Sequence, residues 1–158
     1  MPTYQHTPPD IRSLNEDEIF VFGSNTQGRH GKGAAKFAMQ KFGAKWGVAE
    51  GLTGRCYALP TVGDNLSFMS KERIAIKVRR FYECAKEHPE LTFLVTLVGC
   101  GLAGHKVKDI APMFAKPLPN VVIPEEFADY NAHQEIHPAK RLQSGHEIKQ
   151  RKEERLYE

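Results

Sequence analysis

Apolar residues recur along the chain in two alternating patterns. Short runs of consecutive apolar or β-branched residues predict buried strands at residues 19–22, 57–59, 92–98 and 120–123. Apolar residues at helical spacing predict helices at residues 33–42 and 70–86 and a third around residues 107–114. The glycine-rich segment 43–56 is predicted to be irregular, and Asp64 and Asn65 are interpreted as a turn. Strands that alternate with helices predict an α/β protein, a three-layer α/β/α sandwich with a mixed, largely parallel sheet.

The helix at residues 70–86 has the clearest signals. Ser70 is a suitable N-cap, and Pro89 ends the helical pattern. The apolar stripe follows the spacing i, i+4, i+7 and i+11 and consists of Ile74, Val78, Phe81 and Ala85. These four residues are therefore predicted to lie in the core rather than to contact a ligand.

The chain divides into three segments by composition. Residues 1–18 are predicted to form an irregular arm, since Pro8 and Pro9 exclude helix there. Residues 19–130 carry the predicted strands and helices of one domain. Residues 131–158 are polar and densely charged. This predicts a solvated extension, with a helix at 147–157, that could bind a partner or a second copy of the chain.

Composition and charge are those of an ordinary globular protein. The chain has 158 residues, of which 41% are hydrophobic and 26% charged, which suits one domain with one core. The formal charge of +3 permits a phosphate-bearing ligand, but no dense basic patch indicates nucleic acid. Cys56, Cys84 and Cys100 form no CxxC pair, so we expect reduced thiols and neither a metal nor another cofactor. No apolar run reaches membrane-spanning length, and the predicted location is the cytoplasm.

Two glycine-rich loops each follow a predicted strand and precede a predicted helix. Glycine loop 1 is residues 23–33 (GSNTQGRHGKG), and glycine loop 2 is residues 99–104 (GCGLAG). In an α/β sheet this position is the carboxyl edge of the strands, where ligands bind. A helix N-terminus offers free backbone N–H groups there, and glycine lets the backbone approach an anion closely. Two such loops facing each other predict a cleft for a pyrophosphate, whose charge Arg29 and Lys32 could neutralise.

Two common nucleotide-binding motifs can be compared with these loops. The P-loop pattern fails in loop 1, because Arg29 and His30 follow Gly28 where Lys and a hydroxyl residue are required. Loop 2 is a GxGxxG sequence, and Glu125 lies 21 residues after Gly104, near the place of a ribose-binding acid. Binding of NAD(P) through loop 2 is therefore an alternative. Against it, this motif normally opens the sheet, whereas here it almost closes it.

Three segments of the chain form a recognisable series: FVFGSNTQGRHGKGAAKFAMQKFG, YALPTVG and FLVTLVGCGLAGHKVKDIAPMF. In this order they resemble successive motifs of the macro domain, the ADP-ribose-binding fold. The resemblance covers residues 19–128. It is most specific for a macro-domain-like group, many of them phage-encoded, with sequences of the type FVFGSN-x-x-GRHGxGAA, YALPT and GCGLAG. It implies a macro-domain-like fold that binds ADP-ribose or a related nucleotide.

The resemblance also implies which residues contact the ligand. In macro domains an Asn-containing loop leads through a glycine run into a helix and wraps the distal ribose and the diphosphate. Asn25 matches the Asn position, Gly31 and Gly33 match the glycine run, and loop 2 matches a later loop that covers the phosphates. The implied contact residues are Gly23, Ser24, Asn25, Gly28, Arg29, Gly31, Lys32, Gly33, Thr61, Gly99, Cys100, Gly101, Leu102, Ala103 and Gly104.

Three positions depart from the macro-domain pattern. The best-known class of macro-domain hydrolases carries an Asp ten residues after the loop Asn, where this chain has Ala35. The aromatic residue near the ribose is replaced by Ala103. The acid that reads adenine has only rough counterparts in Glu16, Asp17 and Glu18. The resemblance therefore favours a binding protein over a hydrolase of that class.

Four side chains are candidates for chemistry in the cleft. Asn25 could orient a ribose or a water, or could simply be a turn residue. His30 and His105 each flank a glycine loop and could both point into the cleft as proton carriers, although a loop histidine is more often a surface residue. Cys100 precedes a helix N-terminus, which would lower the pKa of its thiol and allow a pair with His105. The ordinary alternative for Cys100 is a small residue that fits the loop.

Overall fold

The structure, a computed structural model, describes residues 4–136. Its sheet has five strands, β1 (Glu18–Asn25), β2 (Gly51–Thr53), β3 (Cys56–Val62), β4 (Thr92–Val95) and β5 (Val121–Val122). Their order across the sheet is β2-β3-β1-β4-β5. Only β2 and β3 pair antiparallel, and the other neighbours are parallel. The predicted mixed, largely parallel sheet is confirmed.

Helices cover both faces of this sheet. The α-helices are α1 (Gly33–Phe42), α2 (Lys71–Glu87), α3 (Val107–Ile110) and α4 (Glu125–Ile136), and short 3-10 turns lie at Asp64–Leu66 and Ala111–Phe114. Alternate residues of β1 enter two separate cores. Ile19 and Val21 pack with α2 and α4 on one face, whereas Phe20 and Phe22 pack with α1 on the other. The arrangement is therefore consistent with a three-layer α/β/α sandwich, as predicted.

The two clearest helices agree with the prediction. Helix α1 has the predicted bounds, and Gly43 ends it in the left-handed conformation at φ 79°. Helix α2 begins after Ser70, whose side chain accepts a hydrogen bond from the backbone N–H of Arg73 at 3.2 Å. Its predicted apolar stripe is buried. The local signals of cap and period are therefore sufficient for these two helices.

Several elements differ from the prediction. Strands β1 and β3 extend beyond the predicted residues 19–22 and 57–59, to Asn25 and Val62. Strand β2 lies in the segment predicted to be irregular, and it is held by pairing with β3. Strand β4 ends at Val95 rather than at residue 98, because the backbone N–H and the hydroxyl of Thr96 both donate to the carbonyl of Val21 and the chain then turns. Helix α4 was not predicted, and it extends across the predicted domain boundary after residue 130.

The N-terminal arm lies against the outer strand of the sheet. The backbone N–H of Thr7 donates to the carbonyl of Ile123 at 2.9 Å, and its hydroxyl donates to the carbonyl of Val122 at 3.0 Å. Ile11 is buried in the core beside α1. The proposed extension beyond residue 136, including its predicted helix and its proposed role in self-association, lies outside the described residues. None of the helices within residues 4–136 combines the length and apolar composition needed to cross a bilayer.

Candidate functional site

The two glycine loops adjoin at the carboxyl edge of three neighbouring parallel strands. The first three residues of loop 1 are also the last three residues of β1. Loop 2 follows β4, which pairs with β1. A Cβ atom placed on Gly33 would lie 3.9 Å from Cδ1 of Leu102, so the end of loop 1 touches the middle of loop 2. A Cβ atom on Gly23 would lie 3.1 Å from Oγ1 of Thr61. The structure thus brings together residues of loop 1, loop 2 and the end of β3.

Asn25 shapes loop 1 with its own side chain. Its Oδ1 accepts hydrogen bonds from the backbone N–H of Arg29 at 3.0 Å and of Gln27 at 3.2 Å. Its Nδ2 donates to the carbonyl of Arg29 at 2.8 Å. Three of the bonds that this amide can make are therefore used within the loop, which is the turn role of asparagine. The neighbouring Ser24 is buried and donates to the carbonyl of Ala49 at 2.5 Å, so it fixes the strand end.

Loop 1 is pressed against the segment after α1. The backbone N–H of Gly47 donates to the carbonyl of Gly28 at 2.8 Å. Gly28 has φ +67°, and a Cβ atom on it would lie 2.5 Å from the carbonyl carbon of Gly47. Only glycine allows this contact, because any side chain would meet backbone and would hold a left-handed conformation that L-residues avoid. Gly28 is therefore a structural residue that sets the path of the loop.

Backbone N–H groups of both loops, and two cationic side chains of loop 1, lie beside open space. Among residues 4–136, no hydrogen bond occupies the backbone N–H of Gly31, Lys32 or Gly33 in loop 1, nor those of residues 101–103 in loop 2. Cβ atoms placed on Gly31 or Gly101 would have nothing within 4 Å. Arg29 and Lys32 are exposed and form no ion pair with any described residue. This combination of free N–H groups, a helix start and unpaired cations is the chemistry of an anion site.

His30 is buried beneath loop 1 instead of facing the open space. Its exposed fraction is 0%, and its ring packs edge-on against Phe22 and Trp46. Nε2 lies 3.0 Å from the carbonyl oxygen of Lys45, so this nitrogen carries the hydrogen and donates it. Nδ1 is buried and has no partner among the described residues. His30 therefore anchors the segment after α1, which argues against a role as a proton carrier for a ligand.

His105 is also engaged in structure. Its Nε2 donates to the carbonyl of Met69 at 2.7 Å, and its backbone N–H donates to the carbonyl of Gly99 at 2.9 Å. The ring of Phe68 covers it at a centroid distance of 4.7 Å. The two histidines thus bond to carbonyls of different segments, and both are buried. The structure does not bring them together into one cleft.

The expectation of a lowered pKa at Cys100 is wrong. Burial raises the pKa of the Cys100 thiol to about 11, and the nearby carboxylates of Asp109 and Glu126 raise it further. Helix α3, which follows loop 2, has only four residues and supplies little dipole to oppose these effects. Among the described residues no hydrogen bond joins the Cys100 thiol to the ring of His105, whose Nε2 donates to the carbonyl of Met69. Cys100 is a neutral residue that packs beside the core.

Cys100 is therefore expected to react slowly with thiol reagents. At pH 8 about one thiol in a thousand would be ionised, so alkylation should be about 100-fold slower than for an ordinary cysteine. The rate should rise about tenfold per pH unit, because the thiolate fraction rises with pH until it approaches the pKa. Iodoacetamide labelling followed by peptide mass spectrometry measures this rate, with the chain unfolded in guanidinium as the control. Equal rates in the folded and unfolded chain would contradict the assignment.

The acidic residues near the N-terminus do not belong to this site. Glu18 begins β1 and the glycine loop leaves its other end, about 23 Å away along an eight-residue strand. The Glu18 side chain is buried and accepts a hydrogen bond from the backbone N–H of Asn15 at 2.7 Å. Glu16 and Asp17 form the turn just before it. These three rough counterparts of the adenine-reading acid therefore lie away from the glycine loops.

Ala35 occupies a closed position. It lies in the first turns of α1, is 7% exposed, and belongs to the core that contains Phe20 and Phe42. A carboxylate at this place would have to enter an apolar core rather than the open space between the loops. The chain therefore lacks the acid at this position, and the position faces an apolar core.

The geometry of loop 2 differs from that of a dinucleotide fingerprint. In that motif the third glycine lies where the helix packs closely on the strand. Here Gly104 precedes the helix start at Val107, and a Cβ atom on it would have nothing within 4 Å. The crowded glycine is the first, Gly99, whose Cβ would lie 3.2 Å from Cδ1 of Ile110. Glu125 is exposed in the first turn of α4.

The loop after β3 is a third component that the sequence did not reveal. The hydroxyl of Thr26 donates to the carboxylate of Asp64, and the backbone N–H of Asn65 donates to Oε1 of Gln27 at 2.9 Å. Asn65 and Leu66 have φ of 55° and 61°, a conformation that is unusual for leucine. The one sequence feature that pointed to this loop was the YALPTVG segment, which begins with a predicted strand. Residues 63–70 thus form a bracing loop that lies against loop 1.

Two cavities lie away from the glycine loops. One of about 240 Å³ is lined by residues including Phe114, Ile123 and Ala132, and one of about 430 Å³ lies along α2. Both include Tyr82, and neither includes a residue of loop 1 or loop 2. The open space at the loops is therefore surface that is distinct from these cavities. Among residues 4–136, no cluster of three metal-ligating side chains occurs.

Comparison with known proteins gives no match. No family model matches the chain, and no curated protein or solved structure matches it significantly.

Proposed function

We propose that this chain binds ADP-ribose or a related nucleotide diphosphate, with the diphosphate between glycine loops 1 and 2. The observation that supports this most is the proximity of the two loops: a Cβ atom on Gly23 would lie 3.8 Å from the backbone nitrogen of Gly99, and one on Gly33 would lie 3.9 Å from Cδ1 of Leu102. Each loop also carries backbone N–H groups that no described residue accepts. A diphosphate presents acceptor oxygens on both phosphates, so it can accept from both sets at once.

The electrostatics of loop 1 favour an anion. Helix α1 has ten residues, its positive end lies at the end of loop 1, and no acid lies in its first turn. Arg29 and Lys32 add two positive charges, and neither forms an ion pair with any of residues 4–136. Gly31 and Gly101 leave open the space that a phosphate requires.

Within this proposal a binding role is favoured over hydrolysis. Hydrolysis would need a group that activates water at the anomeric carbon or at a terminal phosphate. Of the candidates, His30 and His105 are buried and bonded to carbonyls, and the amide of Asn25 is used within its own loop. Ala35 supplies no acid. An ADP-ribose derivative with a phosphate on its anomeric carbon, incubated with the protein and then analysed by chromatography, should remain intact, and release of ADP-ribose and inorganic phosphate would assign an enzyme instead.

The NAD(P) alternative has less support from the geometry. Its motif requires a close helix contact at the third glycine, and Gly104 has none. ADP-ribose is therefore expected to bind more tightly than NAD, and ADP is expected to bind because it retains the diphosphate.

Calorimetry with ADP-ribose, ADP and NAD tests the proposal. Lys32→Gln should weaken ADP-ribose binding about threefold to tenfold, as expected for one solvent-exposed charge contact. Lys41→Gln is the matched control, because Lys41 lies in the last turn of the same helix and should leave affinity unchanged. Absence of heat with all three ligands would refute nucleotide binding. Tighter binding of NAD than of ADP-ribose would favour the dinucleotide alternative.

A further inference from the structure

Phe68 presents an aromatic face to solvent beside the glycine loops. Its exposed fraction is 69%, which is high for a phenylalanine. Its other face lies on the ring of His105 at a centroid distance of 4.7 Å and an interplanar angle of 31°. His105 follows directly after loop 2 and is fixed by its bond to Met69. The exposed ring is therefore supported by a rigid layer.

The backbone around Phe68 is held in place on both sides. Phe68 forms an isolated antiparallel bridge with Val62, at the end of β3. The preceding residues are bonded to loop 1 through Asp64 and Asn65. Leu66, two residues before Phe68, adopts a left-handed conformation at φ 61°, which is unfavourable for leucine. Unfavourable backbone conformations of this kind cluster at binding sites, which supports a role for the neighbouring exposed ring.

We propose that Phe68 is the stacking platform for the base of the nucleotide whose diphosphate lies between the glycine loops. This inference rests on the proposed function and names the part of the ligand that the loops do not contact. A nucleobase is planar and apolar on its faces, so an exposed ring with a rigid backing can hold it without specific hydrogen bonds. Phe68 touches loop 2 through His105, and its own loop is bonded to loop 1, so it lies beside both.

Trp46 is the alternative platform among the described residues. It is 58% exposed and meets His30 edge-on at 6.4 Å, below loop 1. Within residues 4–136 no ring stacks on Trp46, and its one aromatic contact is with His30 of loop 1. Phe68 is therefore the better candidate, and Trp46 provides a matched control of the same chemical kind.

The test compares a ligand with a base and a ligand without one. Calorimetry would measure ADP-ribose and inorganic pyrophosphate on wild type, Phe68→Leu, Phe68→Tyr and Trp46→Leu. Phe68→Leu should weaken ADP-ribose about fivefold or more and leave pyrophosphate unchanged, because a base stack is lost but the loops are intact. Phe68→Tyr should bind both ligands as wild type does, and it keeps the ring over His105 if leucine packs poorly. Trp46→Leu should change neither affinity.

The outcomes separate this inference from the function on which it rests. Equal losses for both ligands in Phe68→Leu, or no loss for either, would overturn the platform while nucleotide binding stands. A loss of ADP-ribose binding in Trp46→Leu but not in Phe68→Leu would assign the base to the other ring. If wild type binds neither ligand, the proposed function fails and the platform fails with it.

Discussion

Replacing Gly101 by leucine should lower the affinity for ADP-ribose by about 100-fold or more, because several charge-assisted hydrogen bonds from the backbone would be blocked. Gly101 lies in loop 2, is exposed, and has open space where its Cβ would be. It is absent from the glycines with positive φ, so a side chain there causes no backbone strain. The new side chain would occupy the space assigned to the diphosphate. Binding should therefore be lost without loss of stability.

Calorimetry and urea unfolding together measure this prediction. The matched control is Ala132→Leu, which places the same leucine side chain at an exposed position of helix α4, away from the loops. The control should bind ADP-ribose as wild type does. An affinity in Gly101→Leu within threefold of wild type would place the ligand elsewhere, and a large loss of stability would mean that the position is structural.

Gly28→Ala, in contrast, should lower the stability of the fold, by at least about 2 kcal/mol in the free energy of unfolding. A methyl group on Gly28 would lie 2.5 Å from the carbonyl carbon of Gly47, in a conformation at φ +67° that alanine avoids. Backbone must therefore move on one side, and the bond from the Gly47 N–H to the Gly28 carbonyl is strained or lost.

The control for Gly28→Ala lies three residues away in the same loop. Gly31→Ala adds the same methyl group where nothing lies within 4 Å, so its free energy of unfolding should stay within about 0.5 kcal/mol of wild type. Chemical denaturation of the two variants compares them directly. Equal stability of both variants would show that loop 1 does not press against the segment after α1.

The contrast between these glycines shows what the sequence could not supply. Gly28 and Gly31 were both predicted to contact the ligand. Their environments differ because Gly47, which is distant in sequence, packs against Gly28 and leaves Gly31 open. The same limit applies to the histidines. Each flanks a glycine loop in sequence, but His30 and His105 are buried by residues such as Trp46 and Phe68 that come from other segments.

The fold was more predictable than the site, for local reasons. Helix α2 follows from its cap and its apolar period, both of which lie within the helix itself. Strand β2 has three residues and depends on pairing with β3, so it has no signal of its own. Helix α4 is polar, and Phe127 is its one fully buried apolar side chain among the described ones, too little for a period. Elements that are stabilised mainly by contacts with a neighbouring element cannot be predicted from the local sequence pattern.

The most direct test of the two-loop site is a crystal structure of the protein with ADP-ribose. We expect diphosphate density within hydrogen-bond distance of the backbone N–H groups of Gly31 to Gly33 and of residues 101–103. Density in the cavities beside Tyr82, or at any place that leaves both glycine loops empty, would contradict it.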